Sequence, residues 1–322
     1  MRVAVFNDTR VTQHYGCDLV MRNLCLLLEE NDLEPVWFWP VGRDWRSHLN
    51  ELPNKGDVDA VIVNGEGSMH HSSERPRVEA LADIGEMSQE RLGVPAFLIN
   101  ATLYDNEQEI YQKLSSFKKI FTRDHLSISE LNMNDLSGDF SPDLTLSFPQ
   151  KVITRRSKHI AGVDSVVEDA NLHIKRACEE NKWPFKRMSR RRSYSRKEKR
   201  TLKYIAHKAL KRPKRLFCDN DSIESYLKFL SSHELIVTGR YHTATMCLLT
   251  KTPFVAIESN TPKISSLLID VFGATDRLLG TDYPLNNDHL QDFYPFSGSE
   301  SAAIDNYLEN KATGSFIIID RL

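Results

Sequence analysis

No stretch of this chain approaches the ~18 uninterrupted apolar residues that a membrane-spanning helix requires, although 40% of its 322 residues are hydrophobic. The opening MRVAVFNDTR places too few apolar residues before Asn7 and Asp8 for a secretion-signal core and carries no cleavage pattern. A cytoplasmic protein is therefore expected. Cysteine is scarce: Cys17, Cys25, Cys178, Cys218 and Cys247 are odd in number and include no C-x-x-C pair. Neither a disulfide framework nor a zinc knuckle is suggested, and buried reduced thiols are the reading. An overall excess of charge is also missing, the net value being −2 with 27% charged residues. This is the composition of an ordinary globular protein, neither disordered nor fibrous. The length exceeds the ~250 to 300 residues at which single cores divide, so two domains and a cleft between them are expected.

The balanced total hides one asymmetry. Residues 182–215, KWPFKRMSRRRSYSRKEKRTLKYIAHKALKRPKR, hold sixteen Lys or Arg residues and one acid, Glu198. Such a block attracts polyanions, unless it is simply a solvated surface. Leu202, Ile205, Ala206, Ala209 and Leu210 recur at helical spacing within it, which predicts a basic amphipathic helix for an anionic membrane surface. Nucleic acid is not expected, because RRRSYSRKEKR offers one aromatic for base stacking.

Short apolar runs alternate with helical periodicity. Strands are predicted at 2–6, 34–39, 59–64, 94–100 and 118–123, with helices at 17–30 and near 75–92, 107–116 and 125–132. After a connection at 140–157, the alternation resumes with strands at 159–165, 215–219, 234–239 and 253–258 and helices at 168–181, 221–232, 242–250 and 263–272. The apolar GSFIIID at 314–320 is expected to dock. The pattern predicts an α/β protein of two Rossmann-like domains facing a cleft, residues 1–150 and 151–322.

In such sheets ligands bind beyond the carboxyl ends of the strands, where helix amino termini point. That rule selects NDTRVTQHYGCD, NGEGSMHHSS, NATLYDN and GRYHTA. In the last, a strand, a glycine and a helix start bring backbone N–H groups beside Arg240 and His242. Arg grips a carboxylate or phosphate with paired hydrogen bonds, and His passes a proton near neutrality. Equally, Arg240 could pair with an interdomain acid and His242 could cap the helix. IESNTPK repeats the device with Glu258, Ser259, Asn260 and Lys263, which could seat the same ligand or merely cap a helix. In NGEGSMHHSS, Glu66 is a candidate general base or hydroxyl-binding group. Neighbouring His70 and His71 lack Cys or carboxylate at ligand spacing, so no metal is expected. Asp8, His14 and Asp18 share the potential of Glu66, although Asp18 could simply favour a helix amino terminus.

GRYHTATMCLLTKTPFVAI, SPDLTLSF, VNGEGSMHH and NDTRVTQHYGCDLV together resemble the polysaccharide pyruvyl transferase family, in the same order and over most of the chain. The resemblance implies a glycosyltransferase-B-like pair of domains. It also implies transfer of a pyruvyl ketal from phosphoenolpyruvate to two hydroxyls of a sugar in a cell-surface glycan. Arg240, Tyr241 and Thr243 at the helix start, with Glu258, Ser259, Asn260 and Lys263, would hold the donor. His242, Glu66 and Asp18 would carry the chemistry. Asp8, His14, Gly65, Ser68, His70 and Asn100 would receive the sugar or lipid-linked glycan acceptor. No cofactor beyond the donor substrate is implied. The family loop is often G-G-G where this chain has G-E-G, and a second donor cation is expected from the early carboxyl-terminal domain without a residue to assign. The same fold could instead serve a glycosyltransferase using a nucleotide-activated sugar, for example a CMP-linked acidic one, with Glu258 on a ribose hydroxyl.

Overall fold

The computed structural model describes residues 1–149, 157–190 and 222–319, with the backbone alone at 157–158 and 310–319. The amino-terminal half forms one parallel sheet from β1 (Arg2–Asp8), β2 (Glu34–Pro40), β3 (Ala60–Glu66), β4 (Ala96–Ala101), β5 (Lys119–Thr122) and β6 (Asp139–Phe140), in the order β2-β1-β3-β4-β5-β6. Its helices are α1 (Tyr15–Glu30), α2 (Pro76–Ala82), α3 (Ile84–Met87), α4 (Gln108–Leu114) and α5 (His125–Met133). The second half carries β7 (Ser157–Ser165), α6 (Glu168–Asn181), β8 (Phe185–Lys186), α7 (Ile223–Ser231), β9 (His233–Gly239), α8 (Tyr241–Leu249), β10 (Phe254–Ile257), α9 (Lys263–Phe272), β11 (Leu278–Leu279), α10 (Asn287–Leu290) and α11 (Gly298–Ile319). Its described strands are again all parallel, in the order β8-β7-β9-β10-β11. The two orders match: in each sheet the chain reverses direction beside its first strand. The crevices where ligands bind in open α/β sheets thus lie between β1 and β3, and between β7 and β9.

Strand residues sort by alternation. Ala4, Phe6, Val61, Val63, Ala96 and Leu98 pack under one face of the first sheet. Val3, Val5, Ala60, Ile62, Phe97 and Ile99 pack under the other. Both faces are covered, which is why these strands read as continuous apolar runs. In the second sheet Ile236, Phe254 and Ala256 face one cluster, and Leu235, Val237, Val255 and Ile257 the opposite one. Each such Val, Leu, Ile or Phe side chain contributes about 1.5 to 3 kcal/mol by leaving water.

Helix α1 ties the domains together. Val20, Leu24, Leu27 and Leu28 cover the first sheet, whereas Tyr15 and Leu19 belong to the core of the second domain. The Tyr15 ring stacks on Tyr226 at 4.4 Å. Across the same boundary Arg22 pairs with Glu224 at 2.6 Å, His125 with Asp270 at 2.9 Å, and the Thr145 hydroxyl donates to Thr245 at 2.7 Å.

Most predicted elements stand within a residue or two of their expected ends. The segment near 75–92 is broken: α2 and α3 are followed by a π turn, Ser88–Leu92. The two-residue strands β6, β8 and β11 and the helix α11 were not anticipated. GSFIIID falls mostly within α11, with residues 320–322 outside the described ones. The predicted strand 215–219, the start of the helix 221–232, the basic amphipathic helix and Cys218 also lie outside the described residues. At the described start of the basic block, Lys186 lies 5.6 Å from the Phe229 ring, and Arg190 pairs with Asp18 of α1. Of the four described cysteines, only Cys178 and Cys247 are buried, while Cys17 and Cys25 are half-buried. No helix among the described residues is long and apolar enough to cross a membrane.

Candidate active site

Three strand ends of the first sheet adopt the left-handed backbone region: Asn7 (φ 63°), Glu66 (φ 41°) and Asn100 (φ 56°). Non-glycine residues seldom accept this, and such strain gathers at functional sites. It turns the buried Glu66 carboxylate into a nest of donors. Thr9 Oγ1 donates to Oε2 at 2.8 Å, Asn64 Nδ2 to Oε2 at 3.1 Å, and Cys17 Sγ to Oε1 at 2.9 Å. Burial and the neighbouring Glu66 push the Cys17 thiol well above its ordinary range.

Opposite, β9 ends at Gly239 and α8 begins at Tyr241. His242 Nε2 lies 3.7 Å from Glu66 Oε1, 3.6 Å from Asp143 Oδ2 and 3.3 Å from Arg123 Nη1. One imidazole from the second domain thus meets a carboxylate and a guanidinium from the first, with Asp143 contributed by the connection. Arg123 and Asp143 are 1% and 0% exposed and pair at 2.8 Å. Burial opposes ionisation of Asp143, but His242, Arg123 and the Thr145 hydroxyl hold it well below the usual carboxylate range. The Arg123 guanidinium also receives support from Thr102 Oγ1, 2.8 Å from Nε, and lies 4.4 Å over the Tyr241 ring.

A cavity of about 290 Å³ opens between these elements, lined by Glu66, Arg75, Arg77, Arg123, Arg240 and Lys263 among others. Arg240 pairs with Asp164 of β7 at 2.5 Å, an acid of its own domain. Its Nε–H is buried without a partner among the described residues. Lys263 donates to Asn260 Oδ1 at 2.9 Å. Burial, then Arg123, pulls its amine down to about 7. Burial, followed by His242 and nearby cations, likewise keeps His14 neutral, its pKa well below the ordinary value.

Of the residues picked from sequence, His14, Glu66, Ser68, His70, Arg240, Tyr241, His242, Ser259, Asn260 and Lys263 line this one cavity. The others do not. The Glu258 carboxylate accepts from the N–H groups of Ser259, Ile264 and Ser265 at 2.8 to 3.2 Å, capping α9. Asp8 caps the turn after β1 and pairs with Arg10 at 2.7 Å. Asp18 pairs with Arg190. Thr243 is bonded to Tyr226 at 3.0 Å. Asn100 accepts from the Leu144 N–H at 3.2 Å, fixing the connection. Gly65 lets β3 approach β4, since a Cβ there would lie 2.6 Å from Ala101 Cβ. His70 accepts from Arg75 at 2.9 Å, and burial, then Arg75, carries its pKa down to about 2. Sequence reasoning missed Arg123, Asp143, Cys17 and Asp164. Arg123 is the last residue of the predicted strand 118–123, so the strand-end rule could have found it; it comes from the first domain, whereas a second cation was expected from the early carboxyl-terminal one.

Gly16, in the first turn of α1, faces His242: a Cβ would lie 2.4 Å from the imidazole. Gly16→Ala is therefore expected to displace His242 and destabilise the protein by about 1 to 3 kcal/mol, the usual cost of overpacking. Chemical denaturation checks this, and an unchanged midpoint would contradict the contact.

Two parallel sheets of matching strand order, with a cationic cleft beside their strand ends, give a glycosyltransferase-B-like fold. The fold resembles UDP-GlcNAc 2-epimerase from Neisseria meningitidis (TM-score 0.55, 10% identity, 100% of this chain and 99% of that one). It also resembles the Methanocaldococcus jannaschii UDP-GlcNAc 2-epimerase (TM-score 0.51, 14% identity, 99% and 98%). A functionally uncharacterised Klebsiella pneumoniae protein is similar as well (TM-score 0.53, 10% identity, 87% and 92%). No curated protein matches in sequence. The sequence model for polysaccharide pyruvyl transferase matches residues 14–261. The chain belongs to the polysaccharide pyruvyl transferase family and is a transferase.

Proposed function

We propose that the protein transfers the pyruvyl group of phosphoenolpyruvate, as a ketal, to two hydroxyls of a sugar in a cell-surface glycan. The observation that carries this reading is the Arg240 Nε–H, buried without a partner among the described residues, beside a cavity walled by Arg75, Arg77, Arg123 and Lys263. A buried donor left without a partner calls for one from a ligand, and phosphoenolpyruvate brings both a carboxylate and a phosphate. His242 gives its proton to C3 of the enol, making the methyl group and an electrophilic C2. One sugar hydroxyl adds to C2 as Glu66 takes its proton. The C2–O bond to phosphate then breaks, phosphate leaves, and the second hydroxyl closes the ketal. The two hydroxyl protons balance the one gained by C3 and the one leaving with phosphate. The ring and the carboxylate stand 3.7 Å apart, close enough to restore the proton to His242 between turnovers.

The cavity, about 290 Å³, suits a small donor better than a nucleotide sugar, being at the lower end of ligand pockets. Glu258, the residue a nucleotide ribose would have used, is occupied in capping α9. Thermal shift with phosphoenolpyruvate, UDP and CMP tests the reading. Stabilisation by phosphoenolpyruvate that disappears in Arg240→Ala is expected, whereas stabilisation by a nucleotide alone would overturn it.

A pH effect follows from Lys263. Its amine titrates near 7 in the folded protein, against 10.5 for a free lysine. Between those values the unfolded chain binds more protons, so stability rises with pH through that window. A bound anion raises the amine pKa again, so donor binding takes up protons there and weakens as pH rises. Calorimetry at pH 8 in buffers of different ionisation heat should show this uptake, and Lys263→Met should abolish it. Equal uptake in the variant would assign the proton elsewhere.

A further inference from the structure

We propose that His14, Cys17 and His242 form a binding site for a thiophilic divalent cation of the Zn²⁺ class, with Glu66 as fourth ligand. One donor atom from each of the three lies within 4.8 Å of the other two. Glu66 Oε1 joins the group at 2.9 Å from the Cys17 sulfur and 3.7 Å from His242 Nε2. Tetrahedral zinc, with bonds of about 2.0 to 2.3 Å, sets its ligands roughly 3.3 to 3.8 Å apart, so the wider separations close by about 1 Å while the Cys17–Glu66 contact at 2.9 Å opens by a fraction of that.

The elements that carry these groups make the arrangement specific. His14 caps α1 and Cys17 lies on its first turn, a three-residue spacing that puts both on one face of the helix. His242 arrives from α8 of the other domain. The His14 Nδ1 accepts the Cys17 N–H at 3.4 Å, which holds the ring beside the thiol; ligation through Nε2 moves the ring proton to Nδ1 and gives up this contact. A thiol with two imidazoles selects soft and borderline ions over Mg²⁺. The cations nearest the site do not leave it bare of compensation, because Arg123 is paired with Asp143 and Arg240 with Asp164.

Binding displaces the Cys17 proton to solvent, the thiolate takes the metal, and the ion joins α1 to α8. Resting on the pyruvyl reading, one consequence is inhibition, since a metal on His242 occupies the lone pair that proton transfer needs. The site itself stands without that reading.

The test uses the full-length protein stripped with EDTA and titrated, without substrate, with Zn²⁺ against a chromophoric chelator and separately with Mg²⁺. One equivalent of Zn²⁺ and no Mg²⁺ is expected. Cys17→Ser and His14→Ala should each weaken zinc by at least about 10- to 100-fold, while Cys25→Ser leaves it unchanged. Co²⁺ loaded into the wild type should give a thiolate charge-transfer band with a tetrahedral spectrum, which keeps the proposal testable should a variant misfold. Zinc affinity equal in Cys17→Ser and wild type, or a Co²⁺ spectrum without the thiolate band, would overturn it. Either failure leaves the phosphoenolpyruvate reading untouched, because that is measured on metal-free protein.

Discussion

Replacing His242 with Gln is expected to lower kcat by about 10²- to 10⁴-fold, the range for loss of a proton-transferring side chain, while donor binding and thermal stability change little. The amide keeps a polar atom near Nε2 and so preserves the contacts to Glu66, Asp143 and Arg123 at 3.3 to 3.7 Å. It cannot carry a proton to carbon. Steady-state rates of phosphate release, set beside phosphoenolpyruvate binding to the same variant, separate the two effects. A variant that binds the donor and turns over at the wild-type rate would remove His242 from the chemistry.

The second large effect is expected at Arg123. Both members of its ion pair with Asp143 are almost wholly buried. Arg123→Met leaves Asp143 charged in the interior without its guanidinium, with only His242 and Thr145 beside it, which costs about 3 to 5 kcal/mol. The penalty belongs to the stranded charge more than to the lost pair, so Arg123→Met with Asp143→Leu should regain part of the stability without regaining activity. Urea denaturation of the two proteins checks the order. A single variant as stable as the wild type would show that solvent reaches Asp143.

These two residues also mark what the sequence could and could not yield. The alternation of apolar runs disclosed both sheets because nearly every strand is covered on two faces, as Ala60 to Val63 are. The strand-end rule found Glu66, Arg240, His242 and Lys263 because each follows a run long enough to read. Arg123 ends such a run too, yet nothing in FTRD marks it as the partner of Asp143. Their pairing depends on how the connection folds back across the sheet. Cys17 went unnoticed because its neighbours in space, Glu66 and His242, are distant in sequence. Strands of two residues, such as β6 and β8, are too short to show a period. Glu258 and Asp8 illustrate the opposite case: an acid at a strand end serves a ligand or a helix equally well by composition, and only coordinates show which N–H groups it holds.

The chain belongs to the polysaccharide pyruvyl transferase family, and the proposed activity turns on its donor. Its most direct test is NMR of phosphoenolpyruvate incubated with the metal-free protein and a panel of mono- and disaccharides bearing paired hydroxyls. The account predicts that vinyl protons give way to a ketal methyl singlet as an equal amount of inorganic phosphate appears, with both changes lost in His242→Gln. Phosphoenolpyruvate left intact while a nucleotide sugar added to the same mixture releases its nucleotide would contradict it.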